Sequence, residues 1–74
     1  MSVNLYIGNL SNKATGKELN DLFANYGEVV HVSVMKGFGF VEMTDGESAR
    51  DAIRELDGYV FMGRELRVNV ADNR

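Results

Sequence analysis

The chain has 74 residues, no cysteine and one histidine, and its 11 acidic against 8 basic residues leave a net charge of −3. These numbers exclude a disulfide framework, a thiolate metal site and a histidine-built zinc centre, so one domain spanning residues 1–74 must be held by packing alone and needs no cofactor. The acidic balance also opposes a polyanion partner, because phosphate attraction supplies most non-specific affinity, unless the acids are sorted away from the binding surface.

The N-terminal MSVNLYIGNL has no basic leader, and no stretch approaches the roughly 18 apolar residues of a membrane span. The chain therefore reads as intracellular, in nucleus or cytoplasm, with no membrane contact. Val3, Leu5 and Ile7 alternate with Asn4 and Tyr6, which predicts a half-buried first strand. Ser11 to Gly16 is turn-like. Thr15 and Glu18 form a capping box ahead of Leu19, Leu22, Phe23 and Tyr26, whose spacing predicts a helix that Gly27 ends.

Val30, Val32 and Val34 alternate with His31, Ser33 and Met35, and Phe38 to Met43 carries on the same period. If Lys36-Gly37 is the turn between them, Met35 lies opposite Phe38, Ser33 opposite Phe40, Val32 opposite Val41 and His31 opposite Glu42, with no bulge needed. The core side then collects Val30, Val32, Val34, Val41 and Met43. The open side collects His31, Ser33, Met35, Phe38, Phe40 and Glu42.

Thr44 or Asp45 caps a second helix with the apolar stripe Ala49, Ala52, Ile53 and Leu56, ended by Asp57-Gly58. Tyr59 to Arg64 is irregular or a small hairpin, with Phe61 and Met62 undecided between core edge and surface. Leu66, Val68 and Val70 alternate with Arg67 and Asn69 in a last strand. The order βαββαβ, with right-handed crossovers, puts both helices on one side of a four-stranded sheet and leaves the other side open. Glu18, Asp21, Asp45, Glu47, Asp51, Glu55 and Asp57 all fall on helices or their ends. The open side carries Lys36, Arg67 and Arg74 against Glu42 alone, so the charge objection does not reach it.

Residues 36–43, KGFGFVEM, match the octapeptide basic-Gly-aromatic-Gly/Ala-Phe-Val-any-aromatic at every constrained position but the last, where Met43 stands at core parity. LYIGNL at residues 5–10 is similar to the companion hexapeptide, with Tyr6 at its aromatic position. On these two motifs the chain resembles the RNA recognition motif family from end to end. The short Lys36-Gly37 link and the run SARDAIRELDG are similar to serine/arginine-rich splicing factor domains, and small bacterial single-domain members look alike.

The resemblance implies an α+β ferredoxin-like fold, a four-stranded antiparallel sheet of order 4-1-3-2 backed by two helices, that binds single-stranded RNA as a monomer and accepts single-stranded DNA in vitro. By the same resemblance Tyr6 and Phe40 each stack beneath a base, Phe38 presses on riboses and Lys36 meets a phosphate. Asn4, Ser33, Met35, Glu42, Arg67, Asn69 and Arg74, with the main chain after Val70, are the candidate margin contacts. Gly8, Gly37 and Gly39 read as turn or packing glycines. His31 is divided between a cross-strand pair with Glu42 and a ligand contact.

The alternative is a protein-interaction module of the same fold, with a partner either over the rings or on the acidic helical face. Catalysis is not expected. The Gly-x-x-x-x-Gly-Lys-Ser/Thr spacing is missing, and no Ser/His/Asp or paired-carboxylate group converges as a small acyl phosphate hydrolase would require.

Overall fold

The structure, a computed structural model, describes residues 2–71. In chain order it contains β1 (Val3–Gly8), α1 (Gly16–Phe23), β2 (Val29–Met35), β3 (Phe38–Met43), α2 (Gly46–Leu56), β4 (Val60–Phe61), β5 (Arg64–Glu65) and β6 (Arg67–Val70). Strands β2, β3, β1 and β6 form one antiparallel sheet in that order, and β4 and β5 pair separately as a small hairpin. With β6 as its fourth strand, the sheet has the 4-1-3-2 order of a ferredoxin-like α+β fold.

β1 and β3 are central because each offers one fully apolar face. Leu5, Ile7, Val41 and Met43 are sealed from water beneath Leu19 and Phe23 of α1 and Ala49, Ala52 and Leu56 of α2, with Leu66 and Val68 joining from the last strand. Each large side chain so buried contributes about 1.5–3 kcal/mol. Gly39 is part of that fit: a Cβ there would lie 2.7 Å from the Ser33 carbonyl oxygen and 3.5 Å from the side chains of Leu10 and Leu19. Met43, in place of the motif's last aromatic, is core filling.

The helix starts are satisfied locally. The Glu18 N–H donates to Thr15 Oγ1 at 3.2 Å while the Thr15 N–H donates to Glu18 Oε1 at 3.0 Å, closing the capping box. Of the two candidates for α2, Asp45 is the cap, its Oδ2 accepting the Ser48 N–H at 3.2 Å. The Ser48 hydroxyl, and then its N–H, hold the Asp45 carboxyl below its ordinary pKa.

Three sequence expectations are corrected. β2 and β3 do not pair without a bulge: Val29 faces Met43 and His31 faces Glu42, so Val30 is an extra residue, 53% exposed rather than buried. The bulge gives Val29 the core contact assigned to Val30 and keeps His31 on the open side. α1 stops at Phe23, with Ala24 as its C-cap, before Tyr26 and Gly27. Gly27 instead provides space, since a Cβ there would overlap the Ser48 side chain. Val70 continues the alternation of β6 but is 59% exposed, because it lies at the margin of α2.

The stretch after α2 is the small hairpin, turned by Met62 and Gly63 with φ of +53° and +83°. Positive φ at both central residues is the turn geometry that matches strand twist. Phe61 packs against the core, whereas Met62 is exposed. Gly58 N–H donates to the Leu66 carbonyl at 2.8 Å, and Asp57 Oδ1 accepts the Val68 N–H at 3.0 Å, tying the end of α2 to the last strand.

Candidate nucleic-acid interface

On the face away from the helices, strand register arranges the side chains in rows across the sheet. Asn69, Tyr6, Phe40 and Ser33 form the middle row, one residue from each strand. Arg67, Gly8, Phe38 and Met35 form the row at the β2–β3 turn, and Asn4, Glu42 and His31 form the row at the opposite end. Two-residue periodicity on paired antiparallel strands produces such rows without further constraint.

Three rings meet at the centre. Tyr6 and Phe40 have centroids 5.7 Å apart at 63°, Tyr6 and Phe38 are 6.1 Å apart at 30°, and Phe38 and Phe40 are 6.0 Å apart at 90°. Offset and edge contacts of this kind fix the rings against one another while leaving a broad apolar surface. Tyr6 is 37% exposed and the phenylalanines are half-buried, with Met35 exposed beside Phe38.

Gly8 sets the attitude of Tyr6. A Cβ on Gly8 would lie 2.8 Å from Tyr6 Cε2 and 3.1 Å from its hydroxyl oxygen, so the ring lies down over the bare backbone of its own strand. The sequence signal was a glycine two positions after the aromatic, which places it on the same face. It read only as a turn or packing glycine.

Charge is divided between the faces. On the helices Lys17 pairs with Asp21 at 3.0 Å, and Arg54 pairs with Asp51 at 3.0 Å and Glu55 at 3.7 Å. Lys36 in the turn and Arg67 on β6 are exposed and pair with no carboxylate among the described residues. Glu42 accepts a hydrogen bond from the Ser2 hydroxyl at 2.6 Å. His31 is aligned with Glu42, but its Nε2 lies 3.1 Å from Ser33 Oγ, so its partner is on its own strand. Arg74 lies outside the described residues.

A second arrangement at this end of the sheet has no local signal in the sequence. Asn9, just past β1 at φ +57°, donates from Nδ2 to the Glu65 carbonyl at 2.8 Å, and its Oδ1 accepts from Arg64 Nε at 3.1 Å and from Arg64 Nη2. Behind the sheet, Val3, Ala49, Ile53 and Val70 line an apolar groove of about 400 Å³ with Arg50 at its rim. No helix is long and apolar enough to cross a membrane among the described residues.

The family model described as RNA recognition motif matches residues 5–67. RbpD of Nostoc sp., an RNA-binding protein by name, is 47% identical over 78 residues, covering 95% of this chain and 83% of the relative. The crystal structure of RNA Binding Protein PG1 superposes with a TM-score of 0.92 at 40% identity, covering 97% of this chain and 96% of that one. The Rna15 domain solved with bound RNA (GU) gives 0.89 at 31% identity, covering 95% and 83%. A family model spanning most of the sequence, and a bacterial relative this similar over most of its own length, support one assignment: the chain belongs to the RNA recognition motif family.

Proposed function

We propose that this chain binds single-stranded RNA across the open face of its sheet, one base stacked on Tyr6, another on Phe40, and the intervening riboses against Phe38. The observation that carries this reading is the cluster of three rings, mutually braced within 6.1 Å and uncovered by any described part of the chain. Leaving them uncovered forgoes several kcal/mol of burial, and flat bases are the ligand that recovers it. That Rna15 was solved with RNA, and that RbpD is named for RNA binding, supports the same conclusion.

Stacking contributes about 1–3 kcal/mol per base, so two or three bases give on the order of 2–9 kcal/mol before association costs. Set against the roughly 8 kcal/mol of a micromolar complex, binding by this domain alone is micromolar or weaker. Lys36, Arg67 and Arg74 meet phosphates, and at about −0.7 per contact on single strands the salt slope is near −2. Base choice falls to Asn4, Ser33, Met35, Glu42 and Asn69 at the margins and to the main chain beyond Val70. Single-stranded DNA offers the same ring faces and binds by the same contacts.

The test is an amide NMR titration with short random-sequence RNA pools, followed by Phe40→Ala and Tyr6→Ala. Shifts centred on the open face, and a loss of at least ten-fold in affinity with the amide spectrum still folded, are the expected results. Full affinity in both variants overturns the platform. A protein-docking role has the apolar groove beside α2 in its favour, and the same titration, run with a partner, maps to that groove instead.

A further inference from the structure

The sheet's open face has two different ends. At one, Asn4, Glu42 and His31 form a row with a carboxylate at its middle. At the other, the Leu10 N–H donates to the Gly37 carbonyl at 3.0 Å, and the neighbouring Asn9 holds Glu65 and Arg64. One continuous set of hydrogen bonds therefore joins the β2–β3 turn, which carries Lys36, to the β4–β5 hairpin, which carries Arg64, with Arg67 between them opposite Gly8. Three cations stand along this edge.

Arg64 differs from the other arginines in how it is held. Arg54 is neutralised by Asp51 and Glu55. Arg64 is gripped instead by the side-chain amide oxygen of Asn9 and, at 3.4 Å, by its main-chain carbonyl, neutral acceptors that fix the guanidinium without cancelling its charge. Nε and one Nη2 hydrogen are used in that grip. The remaining edge, Nη1 with the second hydrogen of Nη2, has no partner among the described residues and presents two parallel donors, the geometry that suits a phosphate. Glu65 is the acid nearest in sequence, and it meets Asn9 through its main-chain carbonyl.

We infer that Arg64, positioned by Asn9, is a phosphate-binding residue, and that the bound strand leaves the ring platform across the Gly8 end of the sheet toward the β4–β5 hairpin. This rests on the ring face being the RNA site. The two-residue link at Lys36-Gly37 is too short to wrap the ligand, so confinement on this edge falls to the opposite hairpin, braced through Asn9. Arg64 binds the sugar–phosphate backbone and reads no base.

Binding of a fluorescent random-sequence single-stranded RNA, followed by anisotropy from 0.05 to about 1 M salt, tests this. Arg64→Gln is expected to bind about five-fold more weakly at 0.1 M salt, the deficit vanishing toward 1 M, with the salt slope reduced by about 0.7. Asn9→Gly keeps the positive φ and the main-chain acceptor but removes the side-chain grip, and is expected to weaken binding less, with the slope retained. Arg54→Gln, the paired helical control, is expected to leave both unchanged. An equal effect of Arg54→Gln and Arg64→Gln reduces the result to net charge and overturns the assignment. An unchanged slope in Arg64→Gln, with Phe40→Ala still abolishing binding, sinks the phosphate site alone; if Phe40→Ala also binds fully, the ring platform fails with it.

Discussion

Leu5, Ile7, Val41 and Met43 are sealed against the helices, whereas Tyr6, Phe38 and Phe40, interleaved with them on the same two strands, keep a face toward water. The backbone is common to both sets, and only the period of two separates them. Fold stability and the proposed ligand capture therefore fall to alternate residues, and substitutions on the two faces should fail in different ways.

The largest effect is expected on the covered face. Leu5→Ala removes a fully buried side chain and should lose about 2–5 kcal/mol by urea denaturation, against the roughly 4–11 kcal/mol available to a domain this small. Phe40→Ala is expected to lose a minor fraction of that stability while losing RNA. If the two variants unfold at the same denaturant concentration, the division of labour between faces is broken.

A finer test alters the platform without removing a ring. Gly8→Ala puts a methyl where the Tyr6 ring lies, and Gly8 has no positive φ to strain. The ring must lift, so affinity is expected to fall several-fold, within the roughly 1–3 kcal/mol of one stacked base, with the Tyr6 ring resonances displaced and the melting temperature little changed. Unaltered ring shifts together with full affinity would show that the attitude of Tyr6 is not set by Gly8.

What could be seen beforehand was what repeats locally. The alternation in β1 and β3, the Thr15–Glu18 box and the two-residue turn each lie within a few residues, and they are enough for the element order and for placing the three rings on one face, whereas the strand order rests on the resemblance to the RNA recognition motif family. The bulge was hidden because Val29 and Val30 are the same residue type, so either satisfies the periodicity; pairing with Met43 and Glu42 decides between them. In sequence Gly27 has the look of a helix stop, because its true neighbour, Ser48, lies on another helix. Asn9 and Arg64 are 55 positions apart, and no local pattern connects an asparagine at a strand end with an arginine in a later hairpin.

The smallest expected effect lies on the helical side, at the start of α2. Ser48 donates to the Asp45 carboxylate through its hydroxyl and its N–H, with Thr44 and Glu47 adding weaker hydrogen bonds, and together they lower the carboxyl pKa from 3.8. A carboxyl whose folded pKa is below its unfolded value stabilises fully above the unfolded value, near 3.9, and that contribution drains away as pH falls through the folded one. Asp45→Asn keeps a cap acceptor without the ionisation. It is expected to melt slightly below the parent at pH 7, to approach it as pH drops below about 4, and to bind RNA as the parent does at pH 7. A melting gap constant with pH would mean that the charge on Asp45 adds nothing to the cap, and a change in RNA affinity would mean that the two faces are coupled through the sheet rather than divided by it.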